Sequence, residues 1–307
     1  MPRFIAIGEA LIDFMPNATG RLANIDTFTK CPGGAPSNAA AAAARLGVSS
    51  MVITKLGEDA FGDYLENAMK SAGIDTQAVM RTNKAKTALA FVSHTVDGER
   101  DFIFYRSPSA DMLLEPEDID PSWFESGDIL HFCTVDMVNE TCRKAHDRAI
   151  ELARDKNCLI SFDVNLRFPL WDNVEDLKRV ALSYVPKADI VKASKEEINF
   201  LGDFESPCRI TTMGKEGARY QFGNIDVTVP GFDTSAVDTT GAGDSFIGSF
   251  LANVIKRGGL PRDGETAIEM LRYSHAAASI VVARYGALSI MPCENEVDAF
   301  LAEHRMR

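Results

Sequence analysis

The 307-residue chain lacks much of what several common functions require. No apolar run approaches the roughly 20 residues that span a bilayer. The opening MPRFIAIGEALIDF carries acidic residues within its apolar stretch, which argues against a secretory leader and for a first strand. No Lys/Arg-rich block offsets a net charge of −12, so a nucleic-acid backbone finds no cationic track to bind. Six cysteines (Cys31, Cys133, Cys142, Cys158, Cys208 and Cys293) are scattered without a C-x-x-C pair. That argues against a zinc or disulfide framework and leaves reduced thiols and a cytoplasmic location as the expectation. The five histidines (His94, His131, His146, His275 and His304) share no spacing that marks a metal site or a triad, and are read as structural or surface. Trp123 and Trp171 are read as packing residues. No G-x-x-x-x-G-K-[ST] occurs, and no G-x-G-x-x-G follows the first strand, so a bound nucleotide needs some other architecture.

What is present is an alternation. Apolar β-like runs occur at 4–8, 51–57, 128–132, 159–165, 189–194 and 209–214. Helical patterns lie at 37–47, 62–73, 141–156 and 195–201, and a small-residue helix at 274–286 is read as capped by Gly286. Strands alternating with helices predict an α/β class with a mainly parallel sheet covered on both faces. Residues 87–106 break the rhythm with two β-rich runs joined at Asp97-Gly98-Glu99, a hairpin signal. With segment 11–30 they predict a small sheet projecting from the body; an antiparallel edge hairpin of the main sheet is the alternative. The interval 202–208 looks too short for a helical crossover between neighbouring parallel strands, which suggests a missing segment.

Two clusters could carry chemistry. AVDTTGAGDSFIG (236–248) sets Gly241-Ala242-Gly243 before Asp244 and an apolar run. Such a nest at a helix N-terminus can hold a phosphate, and a carboxylate there can accept the proton of an attacking hydroxyl. A capped glycine turn is the other reading. CPGGAPSNAAAAAARLG (31–47) offers Gly33 and Gly34 for close backbone approach and Asn38 as donor and acceptor for a polyol. A loop that caps an alanine-rich helix at Ser37 competes with it.

Together, the early G-G-A-x-x-N loop and the late D-T-T-G-A-G-D segment resemble the two signatures of the ribokinase-like (PfkB) sugar kinases, over nearly the whole chain. Residues 99–114, 162–171 and 191–201 look most like fructokinases. The resemblance implies a three-layer α/β/α fold in one domain, residues 1–307, with lid segments at about 11–30 and 86–108. It implies ATP-dependent transfer to the primary hydroxyl of D-fructose, giving fructose 6-phosphate, with Asp244 as general base and the 241–243 backbone as anion hole. Asp13, Gly33, Gly34, Asn38, Arg106 and Arg167 would meet the sugar. Thr212, Gly214 and Gly217, with Gly241 and Gly243, would meet the nucleotide. Glu197 would act on Mg2+ through water, in S-x-x-E where the general pattern is N-x-x-E. Asp238 and Thr240, with backbone near Val281 and Gly286, would hold K+. A homodimer through the lid is the expected assembly. A 2-keto-3-deoxygluconate kinase is the nearest rival, and a non-catalytic sugar-binding regulator is the rival from another class.

Overall fold

A computed structural model describes residues 1–94 and 100–304. In chain order its elements are β1 (Phe4–Ile7), β2 (Leu11–Pro16), β3 (Phe28–Gly33), α1 (Ala35–Arg45), β4 (Ser50–Gly57), α2 (Ala60–Ser71), β5 (Ile74–Asp75) and β6 (Val79–Thr82). Next come β7 (Ala88–His94), β8 (Arg100–Tyr105), β9 (Ile129–Cys133), α3 (Glu140–Asp155), β10 (Leu159–Asp163), α4 (Val174–Tyr184), β11 (Ile190–Ser194) and α5 (Lys195–Leu201). The chain finishes with β12 (Cys208–Thr212), β13 (Ala218–Phe222), β14 (Ile225–Val229), α6 (Ala242–Arg257), α7 (Gly264–Val282) and α8 (Glu294–Glu303).

The main sheet runs β14-β13-β12-β11-β10-β9-β1-β4-β5, with β6 also on β4. Its pairings are parallel from β5 to β12, and β13 and β14 close one edge antiparallel. Strand alternation sorts the two faces. Phe4 and Ala6 of β1 pack with residues of α1, α6 and α7, while Ile5 and Ile7 pack with α3 and α4. Strands buried on both sides read as continuous apolar runs, which is why the six runs seen in the sequence coincide with β1, β4 and β9–β12.

A second, four-stranded sheet has the order β3-β2-β7-β8, antiparallel at its margins and parallel between β2 and β7. β2, β3, β7 and β8 therefore form a sheet of their own and not an edge of the main one. The expected Asp97-Gly98-Glu99 turn lies outside the described residues. One face of this sheet stacks Phe14 on Phe91 with centroids 4.7 Å apart, and leaves Ile103 and Tyr105 exposed.

The crossover from β11 to β12 runs through the two-turn α5 and the loop after it, residues 195–207, and the two strands pair in parallel. One expectation is corrected. The small-residue helix begins ten residues earlier than read, at Gly264, and stops at Val282 with Ala283 as its C-cap, so Gly286 does not cap it. Asp263 supplies the missed start signal by accepting from the Thr266 amide at 2.8 Å. No helix among the described residues is long and apolar enough to cross a membrane.

Candidate active site

The site forms where α1 and α6 meet above the sheet. Gly248 allows the approach: a Cβ there would lie 2.4 Å from the Ala39 carbonyl oxygen, so only glycine lets α1 lie this close to α6. The small side chains of the alanine-rich α1 serve the same contact, since Ala42 Cβ would lie 2.9 Å from that added atom. Close packing puts Asn38, one turn into α1, opposite Asp244, in the first turn of α6. Asn38 Nδ2 donates to Asp244 Oδ2 at 2.8 Å, and both residues are buried. Ser37 does not cap α1; Gly34 occupies the N-cap, and the Ser37 hydroxyl donates to the Glu9 carbonyl at 3.3 Å.

Gly241 is the N-cap of α6 at φ +76°, a left-handed conformation that glycine adopts without the Cβ penalty. It turns the chain into the first turn of α6. Of the three amides expected to form an anion hole, that of Ala242 already donates to the Thr239 carbonyl at 3.3 Å. Burial pushes Asp244 above the ordinary carboxylate range. The hydrogen bond from Asn38, then the charges of Arg167 and Lys192, oppose that rise.

A cavity of about 150 Å³ opens beside Asp244, lined by Glu9, Asp13, Asn38, Asn165, Arg167 and the 239–244 turn among others. Asp13 pairs across to Cys31 in the β2–β3 ladder. Its Oδ2 occupies the space a side chain at position 33 would need, 2.1 Å from an added Cβ, which explains the glycine. Gly34, at φ +110°, lets its backbone approach the Glu9 carbonyl. Burial raises Asp13 to about 7 against the pull of Arg167, with Asp244 and Glu9 adding to the rise. Glu9 also sits at about 7, mainly through burial, and its Oε1 accepts from the Ala35 amide at 2.7 Å.

A larger and more apolar cavity, about 590 Å³, lies on the other side of the α6 N-terminus. Thr212, Gly214 and Gly217 line it together with Phe232, Phe246 and His275. Gly217 has φ +114° and tolerates no side chain, since a Cβ would meet the Val229 carbonyl at 1.9 Å. The two cavities share Lys192, Thr239 and Gly243 as common wall.

Several of the expected residues are engaged within the protein itself. Arg106 does not line either cavity. It is buried and held by Asp111, by Asp136 Oδ1 at 2.5 Å and by the Val135 carbonyl at 3.4 Å. Those carboxylates and Glu9 overcome the burial cost and raise its pKa. Glu197 is also absent from both linings. Its Oε1 accepts from the Leu166 amide at 2.8 Å and its Oε2 from the Ser194 amide at 2.7 Å. Ser194 Oγ in turn accepts from the Glu197 amide, so S-x-x-E here is a capping box that starts α5. Glu196, next to it, does line the larger cavity, as does Asp233. Asp238 Oδ1 accepts from both the amide and the hydroxyl of Thr240, at 2.9 and 2.7 Å. The Val282 carbonyl accepts from the amides of Val237 and Asp238, and that of Val281 from Arg284, so carbonyls near the expected K+ site already carry donors. No cluster of three or more His, Cys, Asp or Glu side chains suited to a metal ion occurs among the described residues.

Other residues reach the site without having been singled out. Lys192, Asp163, Glu9 and Asn165 surround Asp244's side, and His275 joins the larger cavity although histidines were set aside as structural. A charged residue inside the apolar run DIVKAS was the readable signal for Lys192. Asn165 stands at φ +39°, and its buried Nδ2 has no hydrogen-bond partner.

A three-layer α/β body, a small sheet beside it and a buried carboxylate at a helix N-terminus between two cavities define a group-transfer enzyme that works on a hydroxyl. The chain belongs to the pfkB family of carbohydrate kinases, whose model matches residues 1–293. It is 38% identical to the probable fructokinase-4 of Arabidopsis thaliana, over 97% of this chain and 96% of that protein. It is 39% identical to fructokinase-2 of Solanum lycopersicum, over 95% and 94%. Among solved structures it is similar to the fructokinase of Xylella fastidiosa with bound ATP (TM-score 0.87, 31% identity, 99% of each chain). It is likewise similar to that of Vibrio cholerae O395 with bound fructose, ADP and calcium (TM-score 0.88, 30% identity, 98% of this chain and 99% of that one). The protein is thus a sugar kinase, a phosphotransferase with a sugar hydroxyl as acceptor.

Proposed function

We propose that the chain phosphorylates D-fructose at its primary hydroxyl with ATP, giving fructose 6-phosphate. The observation that carries this reading is the position of Asp244, buried at the head of α6 where the small polar cavity meets the large apolar one. The sugar occupies the small cavity with Asp13, Asn38 and Arg167 on its hydroxyls, and the nucleotide occupies the large one. Asp244 takes the hydroxyl proton, the oxygen forms its bond to the γ-phosphorus, and the bond to ADP breaks with its electron pair leaving on ADP. Amides at the start of α6 stabilise the group in transit, each donor contributing roughly 2.7–4 kcal/mol. Glu197 accepts one backbone amide on each carboxylate oxygen, which leaves each oxygen a further acceptor position for a metal-bound water. Mg2+ is proposed to enter on the triphosphate, keeping several of its waters.

Fructose is favoured over 2-keto-3-deoxygluconate by the fate of Arg106. An acid sugar needs a cation for its carboxylate, and Arg106 is neutralised by Asp111 and Asp136 outside the cavity, which leaves Arg167 to do it alone. A non-catalytic sugar binder would gain nothing from a buried carboxylate at Asp244. The test is ATP turnover on fructose, ribose, adenosine and 2-keto-3-deoxygluconate, with Asp244→Asn alongside. Fructose is expected to have the highest kcat/KM, and the substitution to lower kcat by about 10²–10⁴-fold. A variant with near-normal kcat would refute the role of Asp244; a faster acid sugar would refute fructose.

A further inference from the structure

Lys192 sits in β11, a central strand of the parallel sheet, where the ordinary occupant is apolar. Its side chain is buried, and its Nζ donates to Asp163 Oδ2 at 2.9 Å. A buried ion pair is weak evidence for stability, because desolvation offsets much of the attraction and an apolar pair often packs as well. The pair is also incompletely satisfied. An ammonium has three protons to give, and Lys192 donates one to Asp163, while Asp163 Oδ1 has no partner.

The location of the pair points to a task other than packing. A Cβ at Gly243 would lie 3.1 Å from Lys192 Nζ, so the amine is pressed against the first turn of α6. Gly243 has no left-handed φ that would call for glycine; what it lacks is room beside that amine. Lys192 forms wall in both cavities, at the junction a transferred group must cross. We propose that Lys192 touches the phosphoryl group as it passes from nucleotide to sugar, and that Asp163 is a positioning residue that aims the ammonium at the head of α6. Lys192 then supplies the mobile part of the anion-binding site, which the engagement of the Ala242 amide leaves short of a donor. The charge it offers is matched to one that develops only during transfer, so its effect falls on kcat more than on sugar binding.

This rests on the phosphotransferase reading and not on fructose, so the sugar used is whichever of the panel the wild type turns over fastest. The informative variant is Lys192→Met with Asp163→Asn, which removes both buried charges and leaves neither uncompensated. Its kcat is expected to fall about 10²–10³-fold, the effect of one lost oxyanion donor, with the sugar KM within about threefold. Calorimetry with Mg2+, ADP and aluminium fluoride in the presence of sugar gives a readout independent of turnover. The double variant should lose about 100-fold in affinity for that complex while binding ADP alone nearly as wild type. Asp163→Asn alone should keep the lysine but move the alkaline limb of the kcat profile to lower pH. Asp163 on β10, Glu197 on α5 and Asp244 on α6 all favour the ammonium, with Asp163 the strongest, and the neutral His131 on β9 does not replace it. A double variant that keeps kcat within tenfold, or binds the aluminium fluoride complex like wild type, overturns the proposal. If fructose is not phosphorylated but another sugar is, the fructose assignment fails and the Lys192 test proceeds unchanged.

Discussion

Asn38→Ala should move the acid limb of kcat/KM to higher pH. Asp244 must be ionised to accept a proton, and two opposed influences set how readily it ionises. Burial favours the neutral acid, and the Asn38 amide, 2.8 Å from Oδ2, leads the influences that favour the carboxylate. A hydrogen bond to a charged group is worth roughly 1.5–3 kcal/mol, and one pH unit corresponds to about 1.36 kcal/mol. Loss of the donor therefore raises the Asp244 pKa by about one to two units. Water entering the space left by the amide recovers part of this, so a shift near one unit is the expected value. The remaining charges, Arg167 and Lys192, are untouched by the substitution.

The assay is kcat/KM for the sugar between pH 5 and 9 at saturating ATP, because that ratio reports the groups of the enzyme before sugar binds. Wild type should show an acid limb above the ordinary carboxylate range, with activity rising as Asp244 loses its proton. In Asn38→Ala the limb shifts toward alkaline pH, and the plateau falls as well, since Asn38 is also proposed to meet a sugar hydroxyl. The two effects separate cleanly: lost sugar contact lowers the whole curve, and lost support for the carboxylate displaces it. A curve lowered without displacement, or displaced toward acid, would refute the electrostatic argument while leaving the sugar contact standing.

Two further outcomes follow from the same geometry. Asp13→Asn should stabilise the ligand-free protein at pH 8 by as much as about 4 kcal/mol and change little at pH 4, while weakening sugar binding. The sign follows from a folded-state pKa raised to about 7, so the burial cost is absent while the group is protonated in both states, grows as pH rises from about 4, and is complete above 7. Denaturant unfolding at the two pH values checks it, and equal effects at both would count against the buried charge. Arg106→Met should cost about 3–5 kcal/mol of stability by leaving Asp111 and Asp136 unpaired, with sugar KM changed far less. A normal unfolding curve with a large rise in KM would return Arg106 to the sugar.

The parts of this molecule legible in its sequence are those governed by local pattern. Apolar runs marked the buried parallel strands, and the glycine-carboxylate cluster marked the start of α6. What escaped depends on partners distant in the chain. Arg106 looked free because its acceptors, Asp111 and Asp136, lie five and thirty residues further along the chain, where no local pattern pairs them with it. Lys192 was passed over because its meaning comes from Asp163 on the neighbouring strand and Gly243 on a helix fifty residues later. Glu197 is a different case. Ser194-x-x-Glu197 before an apolar residue is a capping box in plain view, whereas the Leu166 amide from which the other Glu197 oxygen accepts lies on a distant loop.

The head of α6 joins two requirements that conflict in any single group. A phosphoryl group needs donors and positive charge, and the alcohol that attacks it needs a base, which at neutral pH means a carboxylate. Setting both on one helix turn works only if the carboxylate faces one reactant and the donors face the other. The fold does this with backbone freedom at Gly241 and side-chain absence at Gly243, so that Asp244 projects toward Asn38 and the small cavity while Lys192 fills the space beside Gly243. Asn38 then has a second task beyond any sugar contact: it favours the ionised form of a carboxylate that burial pushes toward the neutral one. Burial raises Asp244 above the ordinary carboxylate range, which in the proposed role would make it a stronger base than an exposed aspartate, and the Asn38 bond opposes that rise.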